Sequence, residues 1–126
     1  MPHAHAVIWL DHHAASIHHL SADAVNTRKI KAHEHPTRQH NSDVRAVHEF
    51  FSEVCDALSA ESEILVTGSH TSLADFKHYV DKHRSALTPR IAGWETVDHP
   101  TDGQLVALAR DFFVKFDNLK GTRPLT

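Results

Sequence analysis

The sequence predicts an α/β domain. Its sheet is mixed and five-stranded, in the order 3-2-1-4-5 with strand 2 antiparallel, and three helices cover its faces. Three observations predict this. First, an apolar run from Ala6 to Leu10 is followed, after the turn Asp11-His12-His13, by a second run from Ala15 to Leu20, which is the pattern of a hairpin. Second, apolar stripes with helical spacing alternate with short apolar runs from Asn41 onward. Third, right-handed crossovers between those runs make strands 1, 3, 4 and 5 parallel.

Each element has its own signature. Ala6 to Asp11, with Val7, Ile8 and Trp9, reads as a buried first strand, and Ala15 to Leu20 as its partner. Val25 to Ala32 alternates, with Val25, Thr27, Lys29 and Lys31 opposite Asn26, Arg28, Ile30 and Ala32. Its charges mark it as an edge strand. His33 to His40 is polar and broken by Pro36, hence a loop. Asn41 or Ser42 caps a helix whose stripe is Val44, Val47, Phe51, Val54 and Leu58. Cys55 lies beside that stripe as a buried structural thiol. Glu63 to Thr67 is the fourth strand, closed by Gly68. Ser72, with Asp75 three residues on, caps a second helix whose apolar face is Leu73, Phe76 and Val80. Pro89 to Val97 supplies the fifth strand. The loop Asp98 to Gly103 leads into a last helix lined by Leu105, Leu108, Ala109, Phe112 and Phe116, and Gly121 and Pro124 end the regular structure. This is the ribonuclease H-like arrangement.

Composition bounds the function. The chain has 126 residues, enough for one domain with its own core, expected over about residues 6 to 119. Its formal charge is −3, but it carries 14 histidines, so the charge depends strongly on pH where imidazole titrates. A strongly basic nucleic-acid binder is not supported by the totals, although a local basic patch is. A single cysteine excludes an internal disulfide and any CxxC motif, as expected of a cytoplasmic protein. No apolar run approaches the roughly 20 residues that span a bilayer, and the start lacks a secretory leader.

Ile64-Leu65-Val66-Thr67-Gly68, Lys77 with Val80, the run from Glu95 to Leu105 (ETVDHPTDGQL) and the opening Val7 to Asp11 carry a family likeness. Together they resemble the small bacterial proteins called translational machinery proteins. Those in turn resemble the ribonuclease H-like motif shared by some ribosomal proteins and by the middle domain of archaeal and eukaryotic peptide-chain release factors. The resemblance spans residues 6 to 119. It implies a translation-associated binding module that contacts RNA or the ribosome. In the release factors a Gly-Gly-Gln motif sits between the third strand and the first helix. The matching loop here, His33 to His40, has no glycine, and the first glycine of the chain is Gly68. Peptidyl-tRNA hydrolysis by that motif is therefore not expected.

Ligands of open sheets favour the carboxyl ends of parallel strands. Those ends carry Asp11-His12-His13, His33 to His40, Gly68-Ser69-His70 and Asp98-His99, with Asp102 starting the last helix. Asp11, His70, Asp98, His99 and Asp102 are thus candidates for a ligand edge. Seven histidines (His12, His13, His33, His35, His40, His70 and His99) map to it, whereas His5 starts strand 1 and belongs at the opposite edge. Imidazoles beside carboxylates hold divalent metal, which makes His33, His35, His70 and His99 candidate ligands. A second functional class, a metal-dependent hydrolase or nuclease, would use Asp11, His70, His99 and Asp102. Structural readings stand beside these: Asp11 opening a turn, a solvated histidine rim, and a rigid corner at Asp98 to Gly103. The turn Gly68 to Ser72 is a candidate for anion binding at a helix N-terminus, or an ordinary strand-to-helix turn. Arg28, Lys29, Lys31 and Arg38 are the dense cations, suited to RNA phosphate or to a solvated edge. His78 and His83, five apart on a helix, are expected on different faces in solvent, and one of His18 and His19 is expected to approach the core. A homodimer through an exposed helix or sheet edge is a further reading.

Overall fold

A computed structural model describes residues 5–21, 23–32 and 40–119. The candidates His33, His35 and Arg38, and the chain end with Gly121 and Pro124, lie outside the described residues. The elements run β1 (His5–Leu10), β2 (Ala14–Leu20), β3 (Val25–Lys31), α1 (His40–Leu58), β4 (Glu63–Gly68), α2 (His70–His83), a 3-10 helix (Ser85–Arg90), β5 (Ile91–Thr96) and α3 (Asp102–Leu119). The strand order is β3-β2-β1-β4-β5. β2 is antiparallel to both of its neighbours, while β1 with β4 and β4 with β5 are parallel. The predicted ribonuclease H-like arrangement is therefore the one observed.

Period-2 alternation sends the two faces of β1 into two cores. Ala6, Ile8 and Leu10 join Phe50, Phe51, Val54, Phe76 and Val80, so α1 and α2 cover one face of the sheet. Val7 joins Leu65, Leu105, Ala109 and Phe113, so α3 covers the other. β4 is buried along its whole length, as a central parallel strand with helices on both faces must be. Phe51 lies between the two helices of its layer, 5.2 Å from the Phe76 ring and 5.6 Å from Tyr79 by centroids. A buried aromatic of this kind contributes roughly 3–5 kcal/mol. Gly68 sits opposite Leu10 in the register, and a Cβ there would lie 2.2 Å from the Leu10 carbonyl oxygen. Only glycine allows β1 and β4 to approach that closely where they end.

Several local expectations shift. α1 already begins at His40, so Asn41 and Ser42 stand inside its first turn and do not precede it. Val44 is 51% exposed on the rim of the cleft between α1 and α2, and Phe50 takes a core position in its place. Ser69, not Ser72, occupies the N-cap position of α2; Ser72 is fully buried within the first turn. Pro89 lies inside a 3-10 helix that runs to Arg90, so β5 starts only at Ile91; proline has no N–H for a strand ladder. On α3 it is Phe113 that is buried, while Phe112 lies over Gly93 of β5, where a Cβ would meet its ring at 2.8 Å. Among the described residues no helix is long and apolar enough to cross a membrane.

Candidate functional site

At the carboxyl ends of the strands, local backbone chemistry claims part of the candidate set. The Asp11 carboxylate accepts the N–H groups of His13 (2.7 Å) and Ala14 (2.8 Å), which holds the β1–β2 turn. His12, the next residue, reaches across to α2. Its Nε2 lies 2.7 Å from Asp75 Oδ2 and its Nδ1 lies 3.4 Å from Ser72 Oγ. Ser69 Oγ donates to Ser72 Oγ at 2.7 Å, which completes a chain from the helix N-cap to the Asp75 carboxylate. His70 is exposed as the first residue of α2. Asp98 is exposed as well, whereas His99 packs its ring 4.5 Å from that of Trp9. Trp9 Nε1 in turn donates to the Val97 carbonyl at 3.2 Å.

The strand topology thus brings Asp11, His12, His70, Asp98 and His99 to the carboxyl ends of the strands. Among the described residues, the only group of three or more histidine, cysteine or acidic side chains with ligand atoms in mutual reach is His5, Glu63 and Asp117. Asp11, His70, His99 and Asp102 are not brought together as metal ligands.

What does gather is a cleft of about 390 Å³ between α1 and α2, whose lining includes the His12–Asp75 pair. His48 from α1 and Tyr79 and His83 from α2 form its aromatic wall, with ring centroids 5.4 Å (His48–Tyr79), 6.0 Å (His48–His83) and 4.9 Å (Tyr79–His83) apart. His78 lines the same cleft; it and His83 are exposed, as expected, but they share one surface. The signal for this cleft was present in the spacing: Asp75, Tyr79 and His83 recur at four-residue steps, one stripe along a helix.

The basic strand β3 is exposed along its length except at Ile30. Its pleat divides the cations. Lys29 and Lys31 share the α3 face with Thr27, while Arg28 shares the other face with Ile30, which belongs to the α1–α2 core. Lys29 Nζ bonds to both carboxylate oxygens of Asp102 at 3.3 Å and to Ser16 Oγ at 3.3 Å. Arg28 and Lys31 make no ion pair among the described residues. Beneath Lys29 lies His18, fully buried. Its Nδ1 is 2.9 Å from Thr27 Oγ1, and its Nε2 is 3.5 Å from Asp102 Oδ1 without making a hydrogen bond. Burial pushes the His18 pKa below its ordinary value; Asp102 opposes the shift, and Lys29 and His19 add to it. The core-facing histidine of the pair is thus His18, while His19 bonds to Glu61. Asp102 reaches this network because Thr101 caps α3: Gln104 N–H donates to Thr101 Oγ1 (3.1 Å) and Thr101 N–H to Gln104 Oε1 (2.9 Å).

No family model matches the chain, and no curated protein does. Solved structures do. Pelota from Archaeoglobus fulgidus superposes with a TM-score of 0.64 at 15% identity, over 93% of this chain and 33% of that one. The archaeal translation termination factor aRF1 gives 0.60 at 16% identity, over 94% and 42%. Dom34 of S. cerevisiae, described as a translation termination-like factor involved in RNA quality control and interacting with Hbs1, gives 0.52 at 9% identity, over 90% and 34%. The chain thus spans between a third and about two fifths of each of these proteins. At these identities the likeness is one of fold alone, with one part of each of these proteins.

Proposed function

We propose that this chain is a single-domain, non-enzymatic binding module of the translation apparatus, working in the cytoplasm and meeting RNA phosphate through its cationic edge strand. The observation that carries the reading is β3 itself. Seven residues include Arg28, Lys29 and Lys31 on an exposed strand at the rim of the sheet. Arg28 and Lys31 lack an ion-pair partner among the described residues, so phosphate would not have to displace one. Arg38, seven residues beyond Lys31, extends the same contact in sequence. The fold shared with release-factor-like proteins supports the translational setting of this contact.

Phosphate contacts release condensed counterions, so the association should be strongest at low salt and weaken steadily as salt rises. Co-sedimentation of the full chain with ribosomes tests this. The expected result is pelleting with ribosomes at low salt and release as salt is raised. No association even at the lowest salt overturns the proposal.

A further inference from the structure

A second cluster lies at the amino ends of the strands, away from the cations of β3. His5 opens β1 and Glu63 opens β4, and the parallel register sets the two opposite each other. Asp117 arrives from the last turn of α3. One turn earlier on that helix, Phe113 stacks on the His5 ring at 4.3 Å and 9°, clamping the imidazole in its plane. Its Nε2 then lies 2.7 Å from Glu63 Oε1 and 3.6 Å from Asp117 Oδ2. One ligand atom from each of the three residues lies within 4.8 Å of the other two. The side chains are partly sheltered, at 21% exposure for His5 and Asp117 and 10% for Glu63.

We propose that His5, Glu63 and Asp117 form a binding site for a divalent transition-metal ion. Three features support this. The donor set is one imidazole nitrogen and two carboxylates, which suits zinc, manganese, iron(II) or cobalt(II) better than the all-oxygen ions or copper(I). The spacing fits: with bonds of about 2.0–2.1 Å, tetrahedral ligands stand roughly 3.3 Å apart, between the two distances His5 Nε2 now makes. Asp117 also stands in the last turn of α3, at the negative end of the helix dipole, which favours a cation there. Metal entry displaces the proton shared between His5 Nε2 and Glu63, and the 2.7 Å contact opens by about 0.6 Å. Water fills the remaining coordination positions.

The test uses the full chain purified without a metal column, with Co²⁺ as the probe. Binding is followed by titration calorimetry and by visible d–d absorption. The wild type is expected to take up one tight equivalent with tetrahedral or five-coordinate bands. Asp117→Asn and Glu63→Gln, which keep side-chain shape, should weaken that equivalent at least about tenfold with an unchanged circular dichroism spectrum. His83→Ala, in the α1–α2 cleft on the opposite face of the sheet, should retain it. A wild type with no tight equivalent, or an Asp117→Asn protein that binds Co²⁺ as the wild type does, overturns the site.

Discussion

His18 offers a prediction whose sign and size both follow from its surroundings. The ring is fully buried on the α3 face of the sheet, and desolvation holds its pKa below the ordinary 6.5. In the unfolded chain the same residue takes up a proton near 6.5. The unfolded state therefore binds more protons than the folded one as the pH falls below 6.5, and stability is lost over that range. Above 6.5 the ring is neutral in both states and the term vanishes. A difference of one proton changes stability by about 1.4 kcal/mol per pH unit, so His18 can remove at most about that much between pH 6.5 and 5.5. For a chain of 126 residues this is about 5 °C in melting temperature. The assay is thermal unfolding by circular dichroism at pH 7.5 and 5.5, comparing the wild type with His18→Leu. Contributions common to the two proteins cancel in the difference. The wild type should lose more melting temperature on acidification than the variant, and Asp102→Asn, which removes the group that raises the His18 pKa, should lose more still. An equal pH dependence in wild type and His18→Leu, or an NMR titration placing His18 at or above 6.5, refutes the reasoning.

Two further outcomes follow from local geometry. Thr101→Ala removes one half of the reciprocal cap at the start of α3 and should cost about 1 kcal/mol, near 4 °C in melting temperature; an unchanged melt would show that the cap contributes nothing. The Cys55 thiol, pushed up to about 11 mainly by burial, is a thiolate in only about one molecule in a thousand at pH 8. Thiol reagents at that pH should leave the native protein unlabelled and modify it fully in denaturant, and rapid labelling of the native chain would contradict the burial.

The parts of the fold legible in the sequence are those where a single period dominates. Ala6 to Leu10 is apolar on both faces because β1 is covered on both faces, and the strand order followed from that run, its hairpin and the handedness of crossovers. The misreadings share a cause. Val44 continues the stripe of α1 in spacing, yet that turn has passed the edge of the core, and periodicity does not report how far a helix overhangs its sheet. Phe112 and Phe113 are adjacent, and the choice between them depends on how α3 crosses the sheet, which a stripe pattern leaves open.

The candidate site was legible as an edge and not as a set of contacts. Asp11 was placed correctly, but its carboxylate serves the turn. His12 finds Asp75, 63 residues away, through packing that no local motif encodes. His5 was assigned to the opposite edge, as observed; what remained invisible was the register that sets Glu63 beside it and the helix length that delivers Asp117. The basic strand was visible as charge, while its division between two faces and the tie from Lys29 to Asp102 needed the structure.

The central claim is that the exposed cations Arg28 and Lys31 of β3 contact RNA phosphate, and the salt dependence of binding tests it most directly. Affinity of the full chain for ribosomal RNA, measured over a series of salt concentrations, should give a log–log line of negative slope. Arg28→Ala and Lys31→Ala should each make that slope shallower by roughly 0.7–0.9, one phosphate's worth, while leaving the fold unchanged. Slopes identical to the wild type in both variants would contradict the account.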